Sequence, residues 1–191
     1  MQSIARFRLK DYEIQSLEDH LKGVKELAEK YGTKLGIKHI CGLAGLLHDV
    51  GKYSSEFRNY ILEIMKNPDK PPKRGSVDHS TAGGKLLHEI SKHKNDPHFK
   101  LLSDIVGNVI ISHHSYLHDY LNENLESDYL KRVEEKMVVE FEEVKKLFFK
   151  NVMNEIEFNE YLINAKNELI NYMKNESDKN YPRRIMFLTK Y

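Results

Sequence analysis

The chain has 191 residues, and its 30 Lys and Arg residues nearly balance its 29 Asp and Glu residues, leaving a formal charge of +1. This length fits one domain, which we expect to cover residues 1–191. A domain of this size buries about 70% of the surface that its unfolded chain exposes, so it needs no disulfide to fold. The single cysteine, Cys41, excludes an internal disulfide and a cysteine-rich zinc site.

The sequence gives no indication of a membrane or secreted protein. Its longest apolar run, at residues 40–47, is shorter than the roughly 20 residues that a membrane-spanning helix needs. The N-terminal residues lack the basic and then apolar arrangement of a signal peptide. Together with the single cysteine, these features favour a cytoplasmic location without a membrane partner.

Apolar residues three and four positions apart predict helices along most of the chain. A capping box at 16–19 begins the first helix, and Gly32 marks its end. The second helix is predicted over 37–50. Ser54 or Ser55 then caps the start of a third helix.

The rest of the chain continues the helical pattern. Three of the five prolines fall within 67–76, which predicts a loop, and Asp78 is placed to cap the helix that follows. A further helix is predicted over 101–111, and two long amphipathic segments follow at about 125–150 and 155–175. Because alternating strand patterns and internal repeats are absent from the sequence, we predict an all-α fold, a single bundle of about seven helices.

Positive charge is concentrated in one part of the sequence. Residues 66–100 contain eight Lys or Arg residues and four Asp or Glu residues. Such a patch could bind phosphate groups, although a solvated surface rich in lysine is the simpler interpretation.

Five histidines and one aspartate form the most informative pattern. They are His20, His48, Asp49, His79, His113 and His114. They occur at four places in the sequence. The gaps from His20 to His48, from His48 to His79 and from His79 to His113 are 28, 31 and 34 residues, and each gap fits one helix with its connection. Helices of a bundle often point such side chains inward to build a metal site. Imidazole and carboxylate suit divalent metals, and Asp49, in the middle of the set, is the natural bridge between two ions.

Lys52 lies three residues after Asp49 and could bring its ammonium group near a scissile phosphate. A metal-activated water would then be the nucleophile, so no Ser or Cys nucleophile is required. Taken alone, His20 or His79 is more simply a buried structural histidine, but the whole set favours a metal site. The remaining histidines are interpreted as surface or incidental residues: His39, His88, His93, His98 and His118.

The run LLHDVGKYSSEF at 46–57 resembles the signature of the HD superfamily of metal-dependent phosphohydrolases. Three further segments, SLEDHL at 16–21, DHSTAG at 78–83 and ISHH at 111–114, make the chain similar to the HD nuclease of type I CRISPR interference. The resemblance covers about residues 14–120.

This resemblance implies two divalent ions, with Mn, Ni, Fe, Co, Mg or Ca as candidates. One ion would be held by His20, His48 and Asp49, and the second by Asp49, His79, His113 and His114. Asp49, His48 and Lys52 would be the catalytic residues. The implied activity is endonucleolytic cleavage of single-stranded DNA, with exonucleolytic cleavage left open. The implied partners are a CRISPR helicase subunit or domain and the RNA-guided surveillance complex.

The chain departs from this family at one ligand. The family closes its first metal site with an aspartate on a late helix, after an apolar segment like residues 185–188. No aspartate follows Asp178 here. The expectation is therefore that a C-terminal closing segment is missing or that the first ion is bound more weakly, with Asp178 as one substitute.

Two other functions remain open from the sequence. One is an HD phosphohydrolase that acts on free or cyclic nucleotides and ignores polymers. The other is a catalytically silent, metal-binding helical module that serves as a regulatory or partner-binding domain.

Overall fold

The computed structural model describes residues 3–8, 10–115, 117 and 119–174. Within these residues the chain forms eight α-helices, one short 3₁₀ helix and a two-stranded sheet, which confirms the predicted all-α class. In chain order the elements are β1 (Ile4–Arg8), β2 (Glu13–Ser16), α1 (Leu17–Thr33), α2 (Lys38–Leu47), the 3₁₀ helix (Val50–Tyr53), α3 (Ser55–Lys66), α4 (Thr81–Lys92), α5 (Pro97–Ser112), α6 (Asp128–Glu134), α7 (Phe141–Asn151) and α8 (Glu155–Met173). None of the helices in these residues is long and apolar enough to cross a membrane.

The N-terminal hairpin was not predicted from the sequence. β1 and β2 pair antiparallel, with Arg6 opposite Gln15 and Phe7 opposite Ile14. The strands are short, and the connection contains Tyr12 at a φ of 57° rather than the Asn-Gly pair that usually marks a hairpin. The sequence therefore contains no clear local signal for this element.

Two predicted helix starts are confirmed by their caps. The Ser16 side chain accepts a hydrogen bond from the Asp19 backbone N–H at 3.0 Å, and Ser54 accepts one from the Phe57 N–H at 3.2 Å. The second predicted helix, 37–50, is instead divided into α2 and the beginning of the 3₁₀ helix. This division lies at the residues that carry the His-Asp pair.

The predicted segment 125–150 is also divided, into α6 and α7. Glu140, just before α7, has a φ of 57°, which a continuous right-handed helix does not allow. Its carboxylate accepts hydrogen bonds from the backbone N–H and the hydroxyl of Ser55, both at 2.7 Å. The break thus places an acidic group at the N-terminus of α3, where the helix dipole favours it. The other long segment is confirmed as α8, whereas Asp178 and the apolar segment 185–188 lie outside the described residues.

The core is built around α2, which packs against α1, α5 and α8. Leu43, Leu46 and Leu47 of this helix are fully buried. Each buried leucine stabilises the fold by about 1.5–3 kcal/mol relative to an exposed one. The last turn of α2 is therefore closely packed in the core, and it leads directly into the His-Asp pair.

Helix α4 passes very close to the end of α2 at Gly83. A Cβ atom at this position would lie 2.9 Å from the carbonyl carbon of Leu47 and 3.4 Å from Cγ2 of Ile110. Only glycine permits this approach, which brings the residues before α4, including His79, next to the segment that carries His48.

We expect Gly83→Ala to lower the free energy of unfolding by about 1–3 kcal/mol, because the new methyl group would push α4 away from α2. Gly23→Ala is the matched control, since it lies within α1 with no atom within 4 Å of the added Cβ. That change should leave stability unchanged or raise it by up to about 1 kcal/mol. Urea-induced unfolding measures both values, and equal stability of the two variants would contradict this packing.

Candidate metal centre

The structure brings together all six residues singled out from the sequence, in two groups that share Asp49. Within each group the candidate ligand atoms lie within 4.8 Å of one another. The His20 group consists of His20, His48 and Asp49, and the His113 group consists of Asp49, His79, His113 and His114.

Helix ends position these side chains. His20 lies in the first turns of α1, and His48 and Asp49 directly follow α2. His79 precedes α4, and the double histidine directly follows α5. Four segments distant in sequence therefore converge at one place.

Gly51 fixes the distance between two of these segments. Its backbone N–H donates a hydrogen bond to the His79 carbonyl at 3.2 Å. A Cβ atom on residue 51 would lie 2.7 Å from Cα of His79, so no larger residue fits without displacing that segment. The glycine of the HD signature thus serves close packing beside the centre.

Asp49 divides its two carboxylate oxygens between the groups. Oδ2 lies 2.9 Å from Nε2 of His20 and 3.1 Å from Nε2 of His48. Oδ1 lies 3.4 Å from Nε2 of both His79 and His113. Among the described residues, Oδ1 is buried without a hydrogen-bond partner. This is the geometry of a carboxylate that can bridge two cations.

The imidazole rings are oriented by backbone carbonyl groups. In three of them Nδ1 lies 2.7–3.0 Å from a carbonyl oxygen: His48 on Gly45, His79 on Val77 and His113 on Ile110. Because a carbonyl oxygen only accepts, Nδ1 carries the proton in each ring. In the neutral rings the Nε2 lone pairs are then available to a metal, as in metal-binding histidines generally.

These donors fit a divalent cation. Nε2 of His79 lies 2.5 Å from Nε2 of His114, and Nε2 of His20 lies 3.1 Å from Nε2 of His48. Nitrogen lone pairs that converge in this way, beside a buried carboxylate oxygen without a partner, are satisfied by a shared metal ion. The buried His/Asp cluster can therefore hold a divalent metal.

The charges of the cluster also suit a cation. Burial alone would raise the pKa of Asp49, but the interactions of its carboxylate with the histidines, His113 first and then His20 and His48, hold that pKa below its ordinary value. Burial lowers the pKa of His79 to about 4, although the nearby Asp49 carboxylate opposes this shift. Burial and the neighbouring His113 lower the pKa of His114. An ionised carboxylate thus lies among rings of which His79 is neutral at neutral pH.

Lys52 reaches the same centre. Its ammonium group lies 2.7 Å from Oδ2 of Asp49 and donates to the Ala5 carbonyl oxygen at 3.2 Å. It also lies 5.2 Å from the centre of the Phe57 ring. The hairpin that contains Ala5 therefore contacts the candidate centre. No sequence pattern could have shown this, because the contact uses a backbone carbonyl.

The remaining histidines were interpreted as surface or incidental residues, and this is wrong for one of them. His88 is 8% exposed, and its ring lies 3.2 Å from a glutamate carboxylate of α6. His39 contacts a glutamate of α8 at 2.6 Å, His98 is partly buried, and His93 is exposed. His118 lies outside the described residues.

The fold and the cluster together define a helical protein with a candidate divalent-metal centre. Residues 17–141 match the family model of the HD domain, a range that covers more than half of the chain and all six cluster residues. The chain belongs to the HD domain family. Members of this family are metal-dependent hydrolases, and the family suggests phosphohydrolase chemistry for this protein. A search of curated proteins found no match.

We expect acid to destabilise the metal-free protein through His79. Its pKa is about 4 in the folded protein, against 6.5 for the free side chain. Between these values the unfolded chain binds a proton that the folded protein does not, so stability is lost as the pH falls from about 6.5 to about 4. The full difference corresponds to about 3 kcal/mol.

Urea-induced unfolding in EDTA at about pH 7 and about pH 5 measures this loss. The variant His79→Gln should lose less stability than the wild type between the two pH values. Equal losses in the two proteins would show that His79 does not titrate in this way.

Proposed function

We propose that this protein is a metal-dependent nuclease that cleaves single-stranded DNA endonucleolytically in CRISPR interference. The observation that carries the proposal is the division of the Asp49 oxygens between two groups of histidines. A shared carboxylate of this kind suits two ions that act on one phosphodiester bond.

In this proposal each group holds one ion. The ligands of the first ion are His20, His48 and Asp49, and those of the second are Asp49, His79, His113 and His114. When bound, the ions supply Lewis-acid activation of a water molecule and of the scissile phosphate. The predominance of imidazole favours Mn, Fe, Co or Ni over Mg or Ca.

The protein's own side chains have separate tasks. The Asp49 carboxylate belongs to both ligand groups. Together with the neighbouring His48, it would hold the activated water and the scissile phosphate in one place. The Lys52 side-chain nitrogen lies 2.7 Å from Oδ2 of Asp49. We assign to Lys52 the stabilisation of negative charge that develops on the scissile phosphate.

The exposure of the candidate metal centre supports the proposal that the substrate is a polymer. The side chains of His20 and His113 are 21% and 20% exposed, and His114 is exposed. The loop that leads to His79 carries Lys70, Lys73 and Arg74, all exposed, which would attract the phosphates of a polymer.

A cavity of the size that small ligands occupy lies away from the candidate metal centre. Small ligands usually occupy a concave pocket of about 300–1,000 Å³. A cavity of about 420 Å³ lies between the C-terminal end of α4 and the N-terminal part of α5, lined by His88 and Lys100 among others. The candidate metal centre lies at the opposite ends of these two helices.

The role in CRISPR interference is supported by the sequence resemblance at the four segments that carry the cluster. The double histidine and the Lys-x-Ser-x-x-Phe extension that begins at Lys52 distinguish that nuclease from many relatives that act on nucleotides. We therefore propose a CRISPR helicase subunit or domain and the RNA-guided surveillance complex as partners.

Cleavage of circular single-stranded DNA tests the activity. Protein stripped with EDTA and resupplied with Mn²⁺ should linearise the circle, which has no ends for an exonuclease. Asp49→Ala should reduce the rate by at least about a hundredfold, because it removes the ligand shared by both ions. Full activity of this variant would contradict the two-ion proposal. Hydrolysis of nucleotides without cleavage of DNA would favour the nucleotide phosphohydrolase. If the protein turns over neither substrate, the result would favour the catalytically silent module.

The same assay separates the role of Lys52 from metal binding. Lys52→Met should slow cleavage by about a hundredfold while the bound metal is unchanged. Lys146→Met, on the exposed face of α7, is the matched control and should behave as wild type. If Lys52→Met instead loses its metal, Lys52 supports the ligands and does not act on the phosphate.

A further inference from the structure

Arg132 of α6 joins the two chain segments that supply the histidines of the His113 group. Its Nε donates to the Thr81 hydroxyl at 2.7 Å, and its Nη2 donates to Oδ1 of Asp78 at 3.1 Å and to the Ser80 hydroxyl at 3.0 Å. Its Nη1 donates to the Ile111 carbonyl oxygen at 3.2 Å. One side chain thus binds the segment around His79 and the end of α5.

The Asp78 side chain holds the turn around His79 against the start of α4. The Asp78 carboxylate accepts hydrogen bonds from the backbone N–H groups of Ser80 and Thr81, at 3.1 and 3.2 Å. His79 lies between Asp78 and the first residues of α4, and its Nδ1 donates to the carbonyl oxygen of Val77, which precedes Asp78. Arg132 contacts Asp78 directly, so it fixes where this capped turn lies.

On the other side, Arg132 acts on the last turn of α5. The final carbonyl groups of a helix lack partners within the helix, and Arg132 supplies one for Ile111. This carbonyl is two residues before His113, whose ring is itself held by the carbonyl of Ile110 at 2.7 Å. A shift of this turn would therefore move both histidines that follow it.

Helix α6 is anchored independently of Arg132. Tyr129 and Val133 of α6 are each 1% exposed and form a small apolar cluster with Ile111. The Tyr129 hydroxyl also lies 3.1 Å from the Ser103 hydroxyl. Loss of the Arg132 side chain should therefore leave α6 in place and the protein folded.

We propose that Arg132 is a positioning residue that holds the two halves of the His113 group in register for metal binding. The inference rests on the metal assignment made under Proposed function. Arginine carries only donors and cannot itself bind a cation, so it acts through the histidines. Its planar guanidinium can contact both segments at once, which a lysine ammonium cannot do with the same geometry.

Metal titration tests this role without an activity assay. Isothermal titration of EDTA-stripped protein with Mn²⁺ should show two binding events in the wild type. In Arg132→Gln one event should weaken by about 10–100-fold, as is typical when a residue that orients a ligand is lost, and the other should be unchanged. The visible absorption of bound Co²⁺ should change for that ion alone.

Two variants sharpen the result. Arg132→Lys keeps the charge but not the planar fork, so it should show the same loss as Arg132→Gln. Lys136→Gln is the matched control, because Lys136 also contacts Asp78, at 2.5 Å, but contacts neither the Thr81 hydroxyl nor the Ile111 carbonyl among the described hydrogen bonds. It should retain both ions. Thermal unfolding confirms that each variant is folded.

The outcomes distinguish the inference from the proposed function. Two unchanged binding events in Arg132→Gln would overturn the role of Arg132 and leave the metal centre intact. Full recovery in Arg132→Lys would show that charge alone matters, which also overturns the bridging role. A wild-type protein that binds no ion would overturn the proposed function and this inference with it.

Discussion

The carboxylate of Asp49 is buried at the meeting point of four chain segments, and the rest of the structure is organised around it. An ionised carboxylate loses several kcal/mol when it is removed from water, so a fold retains one only with compensating partners. Lys52 and the histidines provide that compensation on Oδ2, at 2.7–3.1 Å. On the Oδ1 side the nearest nitrogens of His79 and His113 remain 3.4 Å away. This incomplete compensation leaves the cluster able to hold a cation.

Several features of the fold serve this convergence. Close contact at Gly83 and Gly51 brings the turn before α4 against the end of α2. Acidic residues from the later helices cap the earlier ones: Glu140 caps α3, and the Glu168 carboxylate accepts hydrogen bonds from the backbone N–H groups that begin α2. Helix α8, which lies beyond the residues matched by the HD family model, thus helps to hold the helix that leads into the His-Asp pair.

The cluster residues could be identified from the sequence because each type of residue has a definite chemistry and the gaps between them match helices with their connections. The starts of α1 and α3 were likewise predictable, since Ser16 and Ser54 cap them through local hydrogen bonds. At these two helix starts local pattern and structure agree, because the deciding interaction lies within a few residues.

Apart from the hairpin, the features that could not be predicted depend on distant contacts. The break before α7 accompanies a contact between Glu140 and Ser55, and the burial of His88 depends on α6 packing beside it. The bridge from Arg132 to Asp78 joins residues 54 positions apart. The local spacing of apolar residues cannot predict contacts between residues so far apart in the sequence. The amphipathic pattern of 125–150 therefore predicted a helix without showing where the helix ends. The residues of the hairpin show no alternation of apolar and polar side chains that would have predicted its strands.

The most direct measurement of the central claim is the anomalous diffraction of crystals soaked in Mn²⁺. The account predicts two anomalous peaks about 3.5–4 Å apart, with the Asp49 carboxylate between them and one oxygen on each ion. A single peak, or peaks that Asp49 does not contact, would contradict the bridging role from which the proposed mechanism follows.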